Sequence, residues 1–158
     1  MVQPVPFDEV AQHTSCSAAA AAVFQWPIRV YYEDTDTGGI VFYANYLKFF
    51  ERARTEWLRS GGFDQSALAA SEDVMFVVKQ TSVDYHAPAT LDNELTLSVQ
   101  VEKCGRASVE FLQEAWRQGD SAPMLLATGR IKVACVDQRT LRPRALPPAL
   151  LAFIRSAC

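Results

Sequence analysis

The stretch from Trp26 to Leu58, WPIRVYYEDTDTGGIVFYANYLKFFERARTEWL, sets a strand, an acidic glycine-rich turn and a long amphipathic helix in immediate succession. Ile28, Val30 and Tyr32 alternate with Arg29 and Tyr31, the period-2 pattern of a strand with one buried face. Glu33, Asp34 and Asp36 follow at once, and Gly38 with Gly39 opens turn conformations closed to residues that carry a Cβ. From about Tyr43 the period changes. Tyr43, Tyr46, Leu47, Phe50, Ala53, Trp57 and Leu58 fall at the i, i+3, i+4, i+7 spacing of one helix face, so the helix is bound for a core.

A helix that opens just after a glycine pair points unpaired backbone N–H groups, and the positive end of its dipole, at whatever lies in front of it. An acyl carbonyl oxygen placed there is polarised. Asp36, a few residues upstream, can then face the carbonyl carbon as a nucleophile or as the base for a water. The same residues also fit a purely local role, in which Asp34 and Asp36 cap the turn and the helix with their own side chains.

Working outward, 158 residues fit one domain, which buries about 68–70% of the surface of its unfolded chain. Hydrophobic residues at 49% and charged residues at 21% are ordinary for a globular protein. With 15 basic against 18 acidic residues there is no basic bias, which argues against a nucleic-acid partner. No apolar run approaches the roughly 18 residues of a membrane span. Residues 1–23 lack a periodic apolar pattern, and with Asp8 and Glu9 but no Lys or Arg in the first twenty they do not read as a secretory signal. We read them as a flexible tail, or a docking arm, on a cytoplasmic domain over 24–158.

Beyond the helix, Gly61 and Gly62 supply its stop, and residues 63–71 form a connector with room for a short helix. Strands are expected over 74–85, 95–101, 107–116 and 124–136, the clearest being Leu95, Leu97, Val99 and Val101 alternating with polar residues. Pro147 and Pro148 open a short terminal helix that brings Leu150, Leu151 and Ile154 to the sheet edge. The expected architecture is α+β, one long central helix wrapped by a five-stranded antiparallel sheet, which buries Tyr46, Phe50 and Trp57.

Other polar residues invite roles. Arg54 projects near the apolar face, where Glu51 can pair with it, and Arg52 with Glu56 makes an i, i+4 pair. Glu51 can alternatively face the acyl pocket. His86 closes a strand before Ala87 and Pro88, as a structural residue or a rim group. Four cysteines without CxxC spacing and two histidines give little support for a metal site and fit reduced thiols. Lys103, Arg106 and Ser108 in one turn, and Arg139, Arg142 and Arg144 before the terminal helix, are cations suited to phosphates, or solvated surface charge.

The run YYEDTDTGGIVFYANYLKFFERAR resembles the signature of the hotdog-fold acyl-CoA thioesterases of the 4-hydroxybenzoyl-CoA thioesterase class, most closely the YbgC-type enzymes associated with the tol-pal system. The similarity continues through FVVKQTSVDYHAPATLDNELTL and CVDQRTLRPRALP, so it covers about 24–153. It implies the hotdog fold, and hydrolysis of an acyl-CoA to free acid and coenzyme A without metal or redox cofactor. By the same resemblance Asp36 is the catalytic carboxylate and the backbone N–H at or near Tyr43 the carbonyl-polarising donor. It favours Arg106, Ser108 and Arg144, with Lys103 beside them, for coenzyme A. It further implies a dimer, or a dimer of dimers, with sheets joined edge to edge and active sites between subunits. Many YbgC-type sequences carry His where Tyr43 stands, so any role of that imidazole is missing here. Phe42, Phe50 and Glu51, with Tyr43, Phe49 and Trp57 nearby, suit either an aromatic or a fatty acyl group. An acyl-CoA or acyl-carrier binding module of the envelope or lipid-synthesis machinery is the alternative. A hotdog hydratase, which relies on a His paired with a carboxylate, fits less well.

Overall fold

A computed structural model describes residues 22–158; of the tail expected over 1–23, all but the last two residues lie outside the described residues. Five strands, β1 (Phe24–Arg29), β2 (Val74–Tyr85), β3 (Glu94–Cys104), β4 (Ser108–Arg117) and β5 (Met124–Asp137), form one sheet in the order β1-β3-β4-β5-β2. Every neighbouring pair is antiparallel. β1 carries Pro27 within it, and an edge strand is where the missing N–H does no harm.

The helical part corrects the expected architecture. The described residues hold three separate helices, α1 (Asn45–Ser60), α2 (Gln65–Glu72) and α3 (Pro148–Ser156), rather than one long central helix wrapped by the sheet. The division is local chemistry. Gly62, at φ +85°, ends α1 in a conformation that costs a side chain dearly, and the Asp64 carboxylate then accepts the Ala67 N–H at 2.9 Å to start α2. Pro148 occupies the first turn of α3, where its missing N–H is no loss. α1 is still the element that the sheet covers. Tyr46, Phe49, Phe50, Ala53 and Trp57 are buried along it, whereas Leu47, expected on that face, is exposed and Phe49 takes the position. Trp57 packs against Phe111 of β4 and Phe153 of α3, with ring centroids 5.5 and 4.9 Å apart.

Two close contacts fix α1 on the sheet. Gly129 on β5 lies so near Phe50 that an added Cβ would stand 2.8 Å from its ring. Gln113, opposite Gly129, is fully buried and donates to Phe50 O at 3.1 Å and Ser98 O at 3.3 Å. None of the described helices is long and apolar enough to cross a membrane.

Candidate active site

The first strand stops earlier than its alternation predicts. β1 ends at Arg29, Val30 still pairs with Asn93, and Tyr32–Asp34 then turns as a short 3-10 helix. Asp34 causes the turn. Its buried carboxylate accepts the Tyr31 N–H at 2.8 Å, and its carbonyl accepts both Phe42 N at 2.9 Å and the buried Asn45 amide at 2.8 Å. Asn45 is the first residue of α1, so Asp34 ties the acidic turn to the helix start.

Between these anchors the chain makes a tight loop. Asp36 N donates to Ile40 O at 2.9 Å, Gly39 N returns to Asp36 O at 3.0 Å, and Gly39 takes φ +79°. The Asp36 side chain is exposed; its Oδ1 accepts Gly38 N–H at 2.8 Å, and Oδ2 has no partner among the described residues. The two aspartates therefore divide the alternatives that sequence left open. Asp34 caps, and Asp36 also braces its turn, with one oxygen, while the other has no partner among the described residues.

α1 begins at Asn45, two residues later than its periodicity suggests, because Tyr43 and Ala44 form a turn in front of it. Ala44 offers no side-chain cap, and the Tyr43 and Ala44 amides find no acceptor among the described residues. Open donors at a helix start form an anion-seeking site. Tyr85 holds this turn in place, its hydroxyl donating to Tyr43 O at 2.8 Å. The Tyr43 and Tyr46 rings meet Tyr85 edge-on at 6.3 and 5.6 Å. Burial pushes both the Tyr46 and the Tyr85 phenols up, helped by their phenolic neighbours, so both remain protonated donors at neutral pH. Phe42 is exposed beside Tyr43, their rings 4.7 Å apart.

Further along α1, Glu51, Arg54, Thr55, Trp57 and Leu58 form one wall of a cavity of about 120 Å³. Phe76 and Val78 of β2, Phe111 of β4, Val133 of β5 and Leu150 of α3 are among the residues that enclose it. Phe50 is wholly buried against the sheet and is not in that lining. The expected Glu51–Arg54 ion pair does not form: Glu51 accepts the Thr55 hydroxyl at 2.6 Å, and Arg54 reaches inward to Gln113 Oε1 at 2.7 Å. Nor does Arg52 pair with Glu56. Arg59 takes that carboxylate, and the Arg52 guanidinium lies over the Phe49 ring. A buried glutamine fifty-nine positions away competes better than an exposed neighbour because it has no water to lose.

The basic residues sit elsewhere. Ser108 opens β4 and Arg117 ends it; Arg117 faces Met124 and Arg29 faces Glu94 at the end of the sheet that carries the acidic turn. Lys103, Arg106, Ser108 and Arg144 lie at the opposite end, about 30 Å away along the strands. Lys103 pairs with Glu110 at 3.3 Å, and Arg144 with Asp137 at 3.2 Å. Arg106 has no ion-pair partner among the described residues, and its backbone O receives Leu146 N. His86 donates its backbone N–H to Leu126 O at 2.7 Å and meets the Thr128 hydroxyl at 3.0 Å, a structural setting.

Three residues that organise the site escape a reading of the sequence: Asn45, Tyr85 and Gln113. Gln113 alone left a signal, a polar residue at the inward parity between Phe111 and Ala115.

Comparison with known proteins identifies the family. The profile described as the thioesterase superfamily matches residues 38–123. The acyl-CoA thioester hydrolase YbgC of Escherichia coli O6:H1 is 45% identical over 130 residues, 82% of this chain and 94% of that protein. The acyl-CoA thioesterase YbgC of Haemophilus influenzae is 43% identical over 129 residues, 82% of this chain and 92% of its own. Among solved structures, a probable thioesterase from Bartonella henselae superposes with TM-score 0.69 at 33% identity, covering 80% of this chain and all of that one (100%). The chain belongs to the thioesterase superfamily and, within it, to the YbgC family of acyl-CoA thioester hydrolases.

Proposed function

We propose that Asp36 and the backbone N–H groups at Tyr43 and Ala44 carry out the hydrolysis for which this chain is built. The chain is an acyl-CoA thioesterase. The observation that carries the assignment is the pairing of one free carboxylate oxygen with open helix-start amides across a single loop. The thioester oxygen sits on the amides, which hold the negative charge that develops as the carbonyl carbon becomes tetrahedral. Asp36 supplies the attack, either by its own oxygen, giving a mixed anhydride that water then opens, or by taking the proton of an attacking water. In both routes the C–S bond breaks, the coenzyme A thiolate leaves and gains a proton, and the free acid remains. Glu51 and Phe42 belong to the acyl side of this reading, and Phe50 supports it from beneath.

The site extends across a second copy in this proposal. β2 is a sheet edge twelve residues long, and its outer backbone groups are left to pair with something. Two β2 strands paired antiparallel about a two-fold axis set the Val74 end of one beside the Tyr85 end of the other. The basic end of each copy then approaches the Asp36 end of its neighbour. Arg106, which unlike Lys103 and Arg144 has no carboxylate partner among the described residues, is the leading contact for coenzyme A phosphate, with Ser108, Arg144 and Lys103 around it. A dimer of dimers, cytoplasmic action, the 24–158 domain bounds and work beside tol-pal or lipid-synthesis proteins rest on likeness to YbgC-type enzymes.

The test is thiol release from a panel of short, long, branched and aromatic acyl-CoAs by wild type and Asp36→Asn. Turnover on one acyl class that collapses in the variant supports the reading. Feeble turnover, indifferent to the substitution, removes Asp36 from it.

A further inference from the structure

The cavity beside α1 holds a group that the hydrolytic step does not use. Arg54 Nη1 donates to Gln113 Oε1 at 2.7 Å, and the Gln113 amide nitrogen is already spent on Phe50 O and Ser98 O. That glutamine is therefore locked in place and offers Arg54 a single acceptor. The remaining guanidinium N–H groups have no acceptor among the described residues, yet none of their nitrogens is sealed from solvent. Arg54 is itself one of the residues that line the cavity. Glu51 stands on the same wall, engaged with Thr55. Burial removes more from the Arg54 cation than Glu51 returns, which lowers it to about 10. Most of the other lining is apolar, with Phe76, Val78, Phe111, Val133 and Leu150 among it.

The geometry points to this cavity as the subsite for the far part of the acyl group, with Arg54 selecting acyl groups that bear a neutral oxygen, a hydroxyl or a ketone, near their end. The inference rests on the assignment of Asp36 and the Tyr43 region as the reacting centre. A bare hydrocarbon entering the cavity strips water from the guanidinium and returns no hydrogen bond, whereas a hydroxyl or carbonyl oxygen accepts from it. A terminal carboxylate is a poorer fit, because it brings a second anion beside Glu51. From the Tyr43 and Ala44 amides to Arg54 is ten residues of chain, on the order of 15 Å of helix. The Arg54 side chain leans back toward the helix start, which shortens that path to a medium-length chain.

The test compares kcat/KM for octanoyl-CoA, ω-hydroxyoctanoyl-CoA and suberoyl-CoA in wild type, Arg54→Met and Asp36→Asn. Wild type is expected to favour the ω-hydroxy substrate over octanoyl-CoA by roughly tenfold or more, with suberoyl-CoA below it, and Arg54→Met to erase that preference. Equal use of octanoyl-CoA and the ω-hydroxy substrate by wild type, faster use of suberoyl-CoA, or a preference that survives Arg54→Met overturns the inference. Asp36→Asn separates the two levels: undiminished turnover in that variant overturns the catalytic assignment, whatever the chain preference. Should Arg54→Met not fold, the Arg54 Nε–H resonance of wild type is followed on adding ω-hydroxyoctanoate or octanoate. A shift with the hydroxy acid alone supports the subsite; equal shifts, or none, contradict it.

Discussion

The two ends of the sheet each carry an aspartate in a tight turn, and they treat it differently. Asp137 is saturated. Its Oδ1 accepts Arg139 N at 3.0 Å, Thr140 N at 2.8 Å and the Thr140 hydroxyl at 3.1 Å, while Oδ2 takes Arg144 at 3.2 Å. Asp36 accepts one amide, from Gly38, and keeps the rest of its capacity. The same contrast holds for donors, because Arg144 and Lys103 at the far end are paired with carboxylates while the Tyr43 and Ala44 amides stand open. Saturated groups hold a fold together. Unsaturated ones, kept that way by rigid neighbours, are available for chemistry: Asp36 with the Tyr43 and Ala44 amides at the end that carries the acidic turn, and Arg106, which has no ion-pair partner among the described residues, at the other.

The largest effect that sharpens this contrast is Asp36→Asn, which should lower kcat by at least about 10²- to 10³-fold in a thiol-release assay. Its unfolding free energy should stay within about 0.5 kcal/mol of wild type, because an exposed side chain with one hydrogen bond is changed. Next comes Asp34→Ala. It strands the Tyr31 amide and should cost about 1–3 kcal/mol in urea unfolding, with activity falling because the turn that presents the Asp34 carbonyl to Phe42 and Asn45 loses its brace. Tyr85→Phe removes the hydrogen bond to Tyr43 O and should cost about 1 kcal/mol of stability, with a several-fold loss of kcat.

The smallest effect belongs to the saturated turn. The Thr140 and Arg139 amides, then the Thr140 hydroxyl and Arg144, hold the Asp137 carboxyl below the usual range. A depressed carboxyl contributes stability that is fully present above its unfolded pKa, about 3.9, and is lost as pH falls through its lower folded value. Asp137→Asn should therefore weaken the fold slightly at neutral pH and flatten the acid limb of a stability profile, leaving kcat near wild type. A large fall in kcat for Asp137→Asn, with none for Asp36→Asn, would break the comparison.

Much of this was legible in the chain itself, where the physics is local. The strand alternation around Leu95–Val101, the apolar stripe of α1 and the glycine stop after it depend on neighbours within a few residues, and the structure shows them. The early end of β1 was not legible, since it depends on Asp34 turning back to Tyr31 rather than on the alternation through Tyr32. The two short helices are legible locally, α3 from its prolines and α2 as room within 63–71, but the expected architecture weighs only the long helix, because elements this short show too little periodicity to count as part of the fold. Helix spacing offers Arg54 the partner Glu51, whereas Gln113 arrives only through the tertiary fold. The separation of Arg106 and Ser108 from Asp36 follows from strand direction, which residue types alone do not reveal.

That separation makes the proposed association of two copies decisive, since one copy holds Asp36 and Arg106, which has no ion-pair partner among the described residues, at opposite ends of its sheet. The direct measurement is complementation between Asp36→Asn and Arg106→Glu, each impaired alone, co-expressed with different tags and purified through both. If the two ends meet between copies, a mixed dimer contains one intact site, and its kcat/KM at low acyl-CoA concentration should recover toward half that of wild type. A mixed dimer no more active than the average of the two parent variants would contradict it.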